Sequence, residues 1–222
     1  MPMHREHGIW ISSTTPLAQR GGAALLLDRD GVLVREAHYL ARPQDVYLER
    51  GAVELIQWAH GRGMAVATIT NQSGIARGLF DWNAFEAVER EIARQLAERG
   101  VSLDLTVACP FHPEHTEGYS EAHARWRKPG PAMIELAAER LGFDAQMSWM
   151  IGDTASDIGA ARNAGLMGAI HVLTGHGDKE RAGALALATE RFRVLAARDL
   201  DEALALFHEL FPDVETSLRE TQ

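Results

Sequence analysis

The chain is expected to fold as an α/β protein built on a doubly wound, mostly parallel sheet. Apolar runs containing β-branched residues alternate along it with segments of helical periodicity. Polar words rich in Asp, Asn, Gly, Ser and Thr follow several of those runs, where parallel strands in such sheets present their functional ends. The length of 222 residues with 46% apolar composition suits one well-cored domain, with a modest insertion at most.

Taken in order, residues 1–22 are mixed and polar, without an apolar core of signal-peptide length, and read as a partly ordered extension. A single domain is expected over 23–212 and a polar tail over 213–222. The first strand, 23–28, contains Ala23-Ala24-Leu25-Leu26-Leu27 and runs into Asp28-Arg29-Asp30-Gly31. Leu55, Ile56 and Ala59 mark the first helix, and 64–70 reads as the second strand. A turn around Asp81 precedes a helix carrying Phe85, Val88, Ile92 and Leu96, with apolar positions three and four apart. A third strand is expected at 103–108, followed by an irregular stretch, 109–127, long enough to suggest a functional loop. Pro131 opens a helix with Ile134, Leu136, Ala137 and Leu141 on one face. The fourth strand, 147–151, leads to a short helix near 157–164 that Gly165 caps. Strands at 168–173 and, on a weaker pattern, 192–195 come next, and the last helix holds Leu200, Leu204 and Phe207. There is no internal repeat and no low-complexity tract.

Composition narrows the partners. A net charge of -9 leaves no basic surplus to neutralise a phosphate backbone, which counts against nucleic acid and favours a small phosphorylated metabolite. One cysteine permits no internal disulfide, as in a reducing compartment. No apolar stretch has the length to span a bilayer, so neither a membrane nor a membrane partner is expected, and a cytoplasmic setting is.

Four words carry chemistry. Asp28 and Asp30, two residues apart at a strand end, can hold a divalent cation and attack a phosphorus centre, although an acidic turn has the same composition. Thr70-Asn71-Gln72-Ser73-Gly74 offers a hydroxyl and a run of backbone N–H groups to phosphate oxygens, and is also an ordinary turn sequence. Lys128 can offset the charge shared by a carboxylate and a phosphoryl group, or be a plain surface lysine. Asp153 and Asp157 follow the fourth strand, and Asp157 equally suits a helix N-cap. All four fall in order at successive strand ends, which ordinary turns would rarely do together.

In these words the chain resembles the haloacid dehalogenase (HAD) superfamily of phosphohydrolases. Leu27-Asp28-Arg29-Asp30-Gly31, the nine residues from Thr70 to Gly78, Cys109-Pro110 with His112-Pro113, and Arg127-Lys128-Pro129 are similar to the D-glycero-D-manno-heptose 1,7-bisphosphate 7-phosphatase branch, which includes the histidinol-phosphatase domains. The resemblance covers roughly Ala23 to Gly175 and implies a Rossmann-like, HAD-like sheet. It implies Asp28 as the nucleophile forming an aspartyl-phosphate, and Asp30 as the acid and base. Thr70 and the N–H of Asn71 would hold the transferring phosphoryl, and Lys128 would neutralise charge. Asp28, Asp30 and Asp153 would bind Mg2+, with Asp157 behind them and Arg127 on the substrate.

Only 39 residues separate Asp30 from Thr70, which leaves 32–50 as a flap rather than a cap domain. The site is therefore expected to be capless, between that flap and the 109–127 loop at its rim. His38, Tyr39 and His112 are candidates for substrate contact, or ordinary surface-turn residues. The loop also departs from the branch. Relatives often carry a structural zinc on a Cys-x-His and a Cys-x-Cys pair, whereas here Cys109 alone is retained and Phe111, Ala124 and Trp126 stand at the other three positions. Zn2+ is therefore not expected, unless His112, His115 and His123 joined Cys109 in a substitute site; packing of Phe111, Tyr119 and Trp126 would hold the loop instead. The resulting expectation is a Mg-dependent phosphomonoester hydrolase acting on heptose 1,7-bisphosphate. The alternatives are another substrate, such as histidinol phosphate, a nucleotide or a DNA 3'-phosphate, and a non-catalytic binding protein.

Overall fold

The computed structural model describes residues 3–13 and 22–212. Eight strands form one sheet: β1 (Met3–Glu6), β2 (Ile9–Ser13), β3 (Ala24–Leu27), β4 (Ala65–Asn71), β5 (Leu105–Cys109), β6 (Trp149–Gly152), β7 (Gly168–His171) and β8 (Arg193–Ala196). Seven helices pack on it: α1 (Ala52–Gly61), α2 (Trp82–Ala97), α3 (Glu121–Trp126), α4 (Ala132–Leu141), α5 (Ala155–Asn163), α6 (Gly177–Leu185) and α7 (Leu200–Leu210).

Across the sheet the order is β1-β2-β5-β4-β3-β6-β7-β8. The six strands from β3 onward are parallel, and β1 and β2 are antiparallel additions beside β5. From β3 the chain winds outward through β4 and β5, then returns to the other side of β3 and winds away through β6, β7 and β8. That reversal opens a crevice at the carboxyl ends of β3, β4 and β6, where ligands collect in doubly wound sheets.

The apolar run in β3 explains why it lies at the centre. Side chains alternate across a sheet, so Leu25 and Leu27 join the core on one face and Ala24 and Leu26 the core on the other. The first face is closed by α1, α2 and α7 through Leu55, Ile56, Val88, Ile92, Leu200 and Phe207; the second is closed by α4, α5 and α6 through Met133, Ile134, Ala137, Ile158 and Ala184. Each of the Leu, Ile, Val, Met and Phe side chains among them contributes about 1.5–3 kcal/mol by leaving water. Polar caps set the helix starts: Asp81 accepts from Ala84 N at 2.9 Å and Asp199 from Glu202 N at 2.9 Å.

The strands expected from 23 onward are all present, within one or two residues of their observed ends. Four elements depart from the sequence pattern. Residues 3–13, expected as a partly ordered extension, add β1 and β2 to the sheet. The irregular 109–127 stretch contains the short α3, and α6 lies in a segment without apolar periodicity.

Candidate active site

Asp28 stands one residue beyond the end of β3, where its N–H continues the sheet ladder by donating to Ile151 O at 3.0 Å. Its carboxylate meets Lys128, whose Nζ lies 2.7 Å from Asp28 Oδ1, 2.6 Å from Asp157 Oδ1 and 2.7 Å from Ile69 O. All three side chains are buried. Lys128 is held in turn by Asn71, which accepts from Lys128 N (3.1 Å) and donates to Lys128 O (3.2 Å) through its carboxamide. The side chain of Asn71 is thus committed to placing the lysine.

Asp153 follows β6. Its Oδ2 accepts the N–H of His176 at 2.7 Å, while Oδ1 is buried with no hydrogen-bond partner. Beneath it, His171 Nε2–H donates to Asp153 O at 2.9 Å, and burial lowers the imidazole pKa. Gly31 makes this closeness possible: its φ is +83°, and a Cβ there would lie 2.7 Å from Asp153 Oδ2. Asp157 is not the N-cap of α5. Thr154 is, and Asp157 takes the third helical position, accepting from Thr154 N (3.0 Å) and Thr154 Oγ1 (2.7 Å).

The charge balance is incomplete. Asp28, Asp153 and Asp157 can bring one oxygen each within 4.8 Å of one another, against the single cation of Lys128. Burial, then the charge of Asp157, raises the Asp28 carboxyl well above the ordinary carboxylate range, with Lys128 opposing. The same two causes push Asp153 up to about 7. A hard divalent cation fits this donor set: it would satisfy the orphaned Asp153 Oδ1 and offset the surplus charge. Asp28 and Asp153 are available for it, whereas Asp157 is occupied by Lys128 and Thr154.

Asp30 is held by groups the sequence reading did not single out. Gln72 Nε2 donates to both Asp30 Oδ2 (2.8 Å) and Thr70 Oγ1 (2.9 Å), linking the acid-base candidate to the phosphate-cradle hydroxyl. Arg29, buried between the two aspartates in sequence, reaches both Asp30 oxygens at 2.8–2.9 Å and Glu89 of α2 at 3.0 Å, with its guanidinium over the Phe85 ring. A buried arginine must find carboxylates, and that requirement was the available signal.

Asp28, Asp30, Thr70, Gln72, Lys128 and Asp153 line a cleft of about 290 Å³ bounded by Glu36, His38 and Tyr39 of the flap, Arg127 of the rim loop and His176. Both His38 and Tyr39 are therefore at the cleft, as is every expected catalytic or metal residue. Arg127 Nη1 donates to Phe111 O at 3.0 Å.

The rim loop does not fit a zinc ion. Cys109 is buried, its thiol pushed up to about 12 chiefly by burial, and Phe111, Ala124 and Trp126 offer no ligand. The substitute set does not assemble either. His112 and His115 lie together with Glu114, but Arg77 faces both Nε2 atoms, at 2.8 and 3.1 Å. His123 is apart from them, accepting from Ser120 N and packed between Phe111 and Tyr119.

Comparison with known proteins identifies relatives of this chain. The HAD-hydrolase-like family model matches residues 125–203. A D-glycero-beta-D-manno-heptose-1,7-bisphosphate 7-phosphatase of Mesorhizobium japonicum is 36% identical over 168 residues, 72% of this chain and 75% of that protein. A D-glycero-alpha-D-manno-heptose-1,7-bisphosphate 7-phosphatase of Burkholderia mallei is 36% identical over 143 residues, 64% of this chain and 76% of that one. Among solved structures, a D,D-heptose 1,7-bisphosphate phosphatase from B. bronchiseptica, complexed with magnesium and phosphate, aligns with TM-score 0.70 and 31% identity over 84% of this chain and 99% of its own.

Proposed function

This chain belongs to the HAD-like phosphatases, in the family of the D-glycero-D-manno-heptose-1,7-bisphosphate 7-phosphatases, and from that premise we propose that it removes the 7-phosphate of a heptose 1,7-bisphosphate with Mg2+ as its cofactor. The observation that carries the reading is the Asp28–Lys128–Asp157 cluster beside the orphaned Oδ1 of Asp153. A nucleophile, a fixed cation and an unfilled carboxylate oxygen meet at one strand-end crevice.

Asp28 attacks phosphorus in line and takes the phosphoryl group as an aspartyl-phosphate. Asp30 gives its proton to the departing alkoxide, then accepts one from the water that hydrolyses the acyl phosphate. For this it must turn toward the scissile oxygen, and Gln72, bonded to both Asp30 and Thr70, is the guide. Thr70 Oγ1 and the Asn71 N–H hold phosphoryl oxygens, and Lys128 keeps nucleophile and phosphate from repelling each other. Mg2+, when bound by Asp28, Asp153 and the Asp30 backbone carbonyl, supplies Lewis-acid neutralisation of the phosphoryl charge. Arg127, His38 and Tyr39 meet the rest of the substrate, with Asp157 fixing Lys128 from behind.

A cleft of about 290 Å³ suits one small metabolite, and the acidic balance of -9 counts against nucleic acid. Relatives of both anomeric classes stand at 36% identity, so the reading extends to the bisphosphate and not to one anomer. No helix among the described residues is long and apolar enough to cross a membrane, and the single cysteine of the chain is a free, buried thiol; both accord with the cytoplasmic setting proposed here. The test is phosphate release from heptose 1,7-bisphosphate anomers, histidinol phosphate and nucleotides, with Mg2+ and with a chelator. Chelator-sensitive release selective for the heptose bisphosphates is expected; preference for another compound would redirect the substrate assignment while keeping the catalytic one.

A further inference from the structure

We propose that the turn of the N-terminal hairpin, through His7 and Trp126, positions Arg127 at the mouth of the active site, doing the work for which a metal-bearing loop would use zinc. The inference rests on the bisphosphate reading above.

The rim loop must hold Arg127 and deliver Lys128, yet of the four zinc-ligand positions of the relatives it keeps only a buried thiol. What meets it instead is the hairpin of β1 and β2. Glu6 pairs with Ile9, so His7 and Gly8 form a two-residue turn, with φ of 52° and 79°. Positive φ at both central residues is the requirement of the tight turn whose twist suits a hairpin. β2 pairs with β5, and the last residue of β5, Cys109, opens the rim loop, so the turn and the loop leave the sheet side by side.

Both ends of the loop touch those two turn residues. At its start, Phe111 packs so closely on Gly8 that a Cβ there would lie 2.9 Å from Phe111 Cζ. At its end, the Trp126 ring stacks on His7, with centroids 5.7 Å apart and planes inclined by 23°. Arg127 follows Trp126 directly and donates to Phe111 O, so its backbone and its guanidinium are fixed by the two pinned residues. The hairpin is itself anchored: Arg140 of α4 reaches both carboxylate oxygens of Glu6 at 2.7 and 2.9 Å, and Ile9 and Ile11 are buried in the same core as Met133. A positioning role for His7 therefore runs through ring stacking and reaches the substrate only at Arg127.

The test uses the full chain with Mg2+ and two substrates: heptose 1,7-bisphosphate, whose second phosphate can meet Arg127, and p-nitrophenyl phosphate, which has none. His7→Asn removes the ring and keeps a residue at home at positive φ, so the hairpin is retained. The expected result is a rise of about two- to tenfold in KM for the bisphosphate, the range of one aromatic contact, with kcat unchanged. Both constants for p-nitrophenyl phosphate stay at their wild-type values. In a Trp126→Leu background, His7→Asn should add nothing further. An unchanged bisphosphate KM in His7→Asn would overturn the proposal, as would equal losses on both substrates. If the wild-type enzyme itself shows no lower KM for the bisphosphate than for the aryl ester, the substrate reading fails, and the inference fails with it.

Discussion

Asp157 and Lys128 form a 2.6 Å ion pair with almost no exposure of either side chain. Burial is the largest single influence on the lysine pKa and lowers it, but the charges and hydrogen bonds of Asp157 and Asp28 together outweigh burial and raise it. Asp157→Asn should leave Asp28 as the one carboxylate on Lys128, beside the Ile69 carbonyl. Removing one member of a buried pair typically costs about 3 kcal/mol or more, and urea denaturation should register a loss of that size. Turnover should fall as well, because the lysine is no longer held between nucleophile and helix α5. Unchanged stability and rate would mean that Asp157 serves only as the third-position partner of Thr154 in the capping box of α5.

A second prediction concerns Gln72, which bridges Thr70 and Asp30. Gln72→Leu should lower kcat by about tenfold or more on alkyl phosphates, whose leaving group needs a proton, because misplaced acid-base groups forfeit part of a 10²–10⁴-fold effect. An aryl phosphate, with a leaving group stable as an anion, should lose less in the step that forms the aspartyl-phosphate. Pre-steady-state bursts with the two substrate types check this, and equal losses would remove Gln72 from the proton-transfer step.

Magnesium binding should depend on pH. Without metal, Asp153 is pushed up to about 7 and Asp28 is also raised, so below that pH the cation must displace protons. Affinity should therefore weaken by up to about tenfold per pH unit below 7 for each proton displaced, and level off above. The stability sign follows from the same shifts. A carboxyl whose folded pKa is raised contributes most to stability below its unfolded value near 4, and that contribution is lost as pH rises toward 7. The gain in Tm on adding Mg2+ should then be larger at pH 8 than at pH 6. Titration calorimetry and thermal unfolding across that range test both, and pH-independent binding would contradict the charge balance drawn for the site.

The sequence made the parallel sheet legible because strands buried on both faces must be continuously apolar, as in Leu25-Leu26-Leu27, and Asp28, Thr70 and Asp153 follow from where those runs stop. The hairpin of β1 and β2 was hidden because β1, Met3-His4-Arg5-Glu6 in sequence, offers no apolar pattern, so the short run Ile9-Trp10-Ile11 in β2 stands without a readable partner strand. Helix α6 was hidden because only Gly177 and Ala184 of its nine residues are buried, which leaves no apolar stripe to read. Asp157 could have been placed better: Thr154 with an acid three residues on is the spacing of a capping box. Arg29, Gln72 and Glu89 belong to types that surfaces usually carry, and only their burial beside Asp30 reveals what they do.

The central claim is that Asp28 becomes covalently phosphorylated, and trapping that species tests it most directly. Asp30→Asn should block activation of water while still allowing Asp28 to attack p-nitrophenyl phosphate, whose leaving group departs without a proton. Acid-quenched mass spectrometry of this variant with Mg2+ should find one added phosphoryl group, on the peptide containing Asp28. A phosphoryl group on another residue, or steady turnover of Asp28→Asn, would contradict the account.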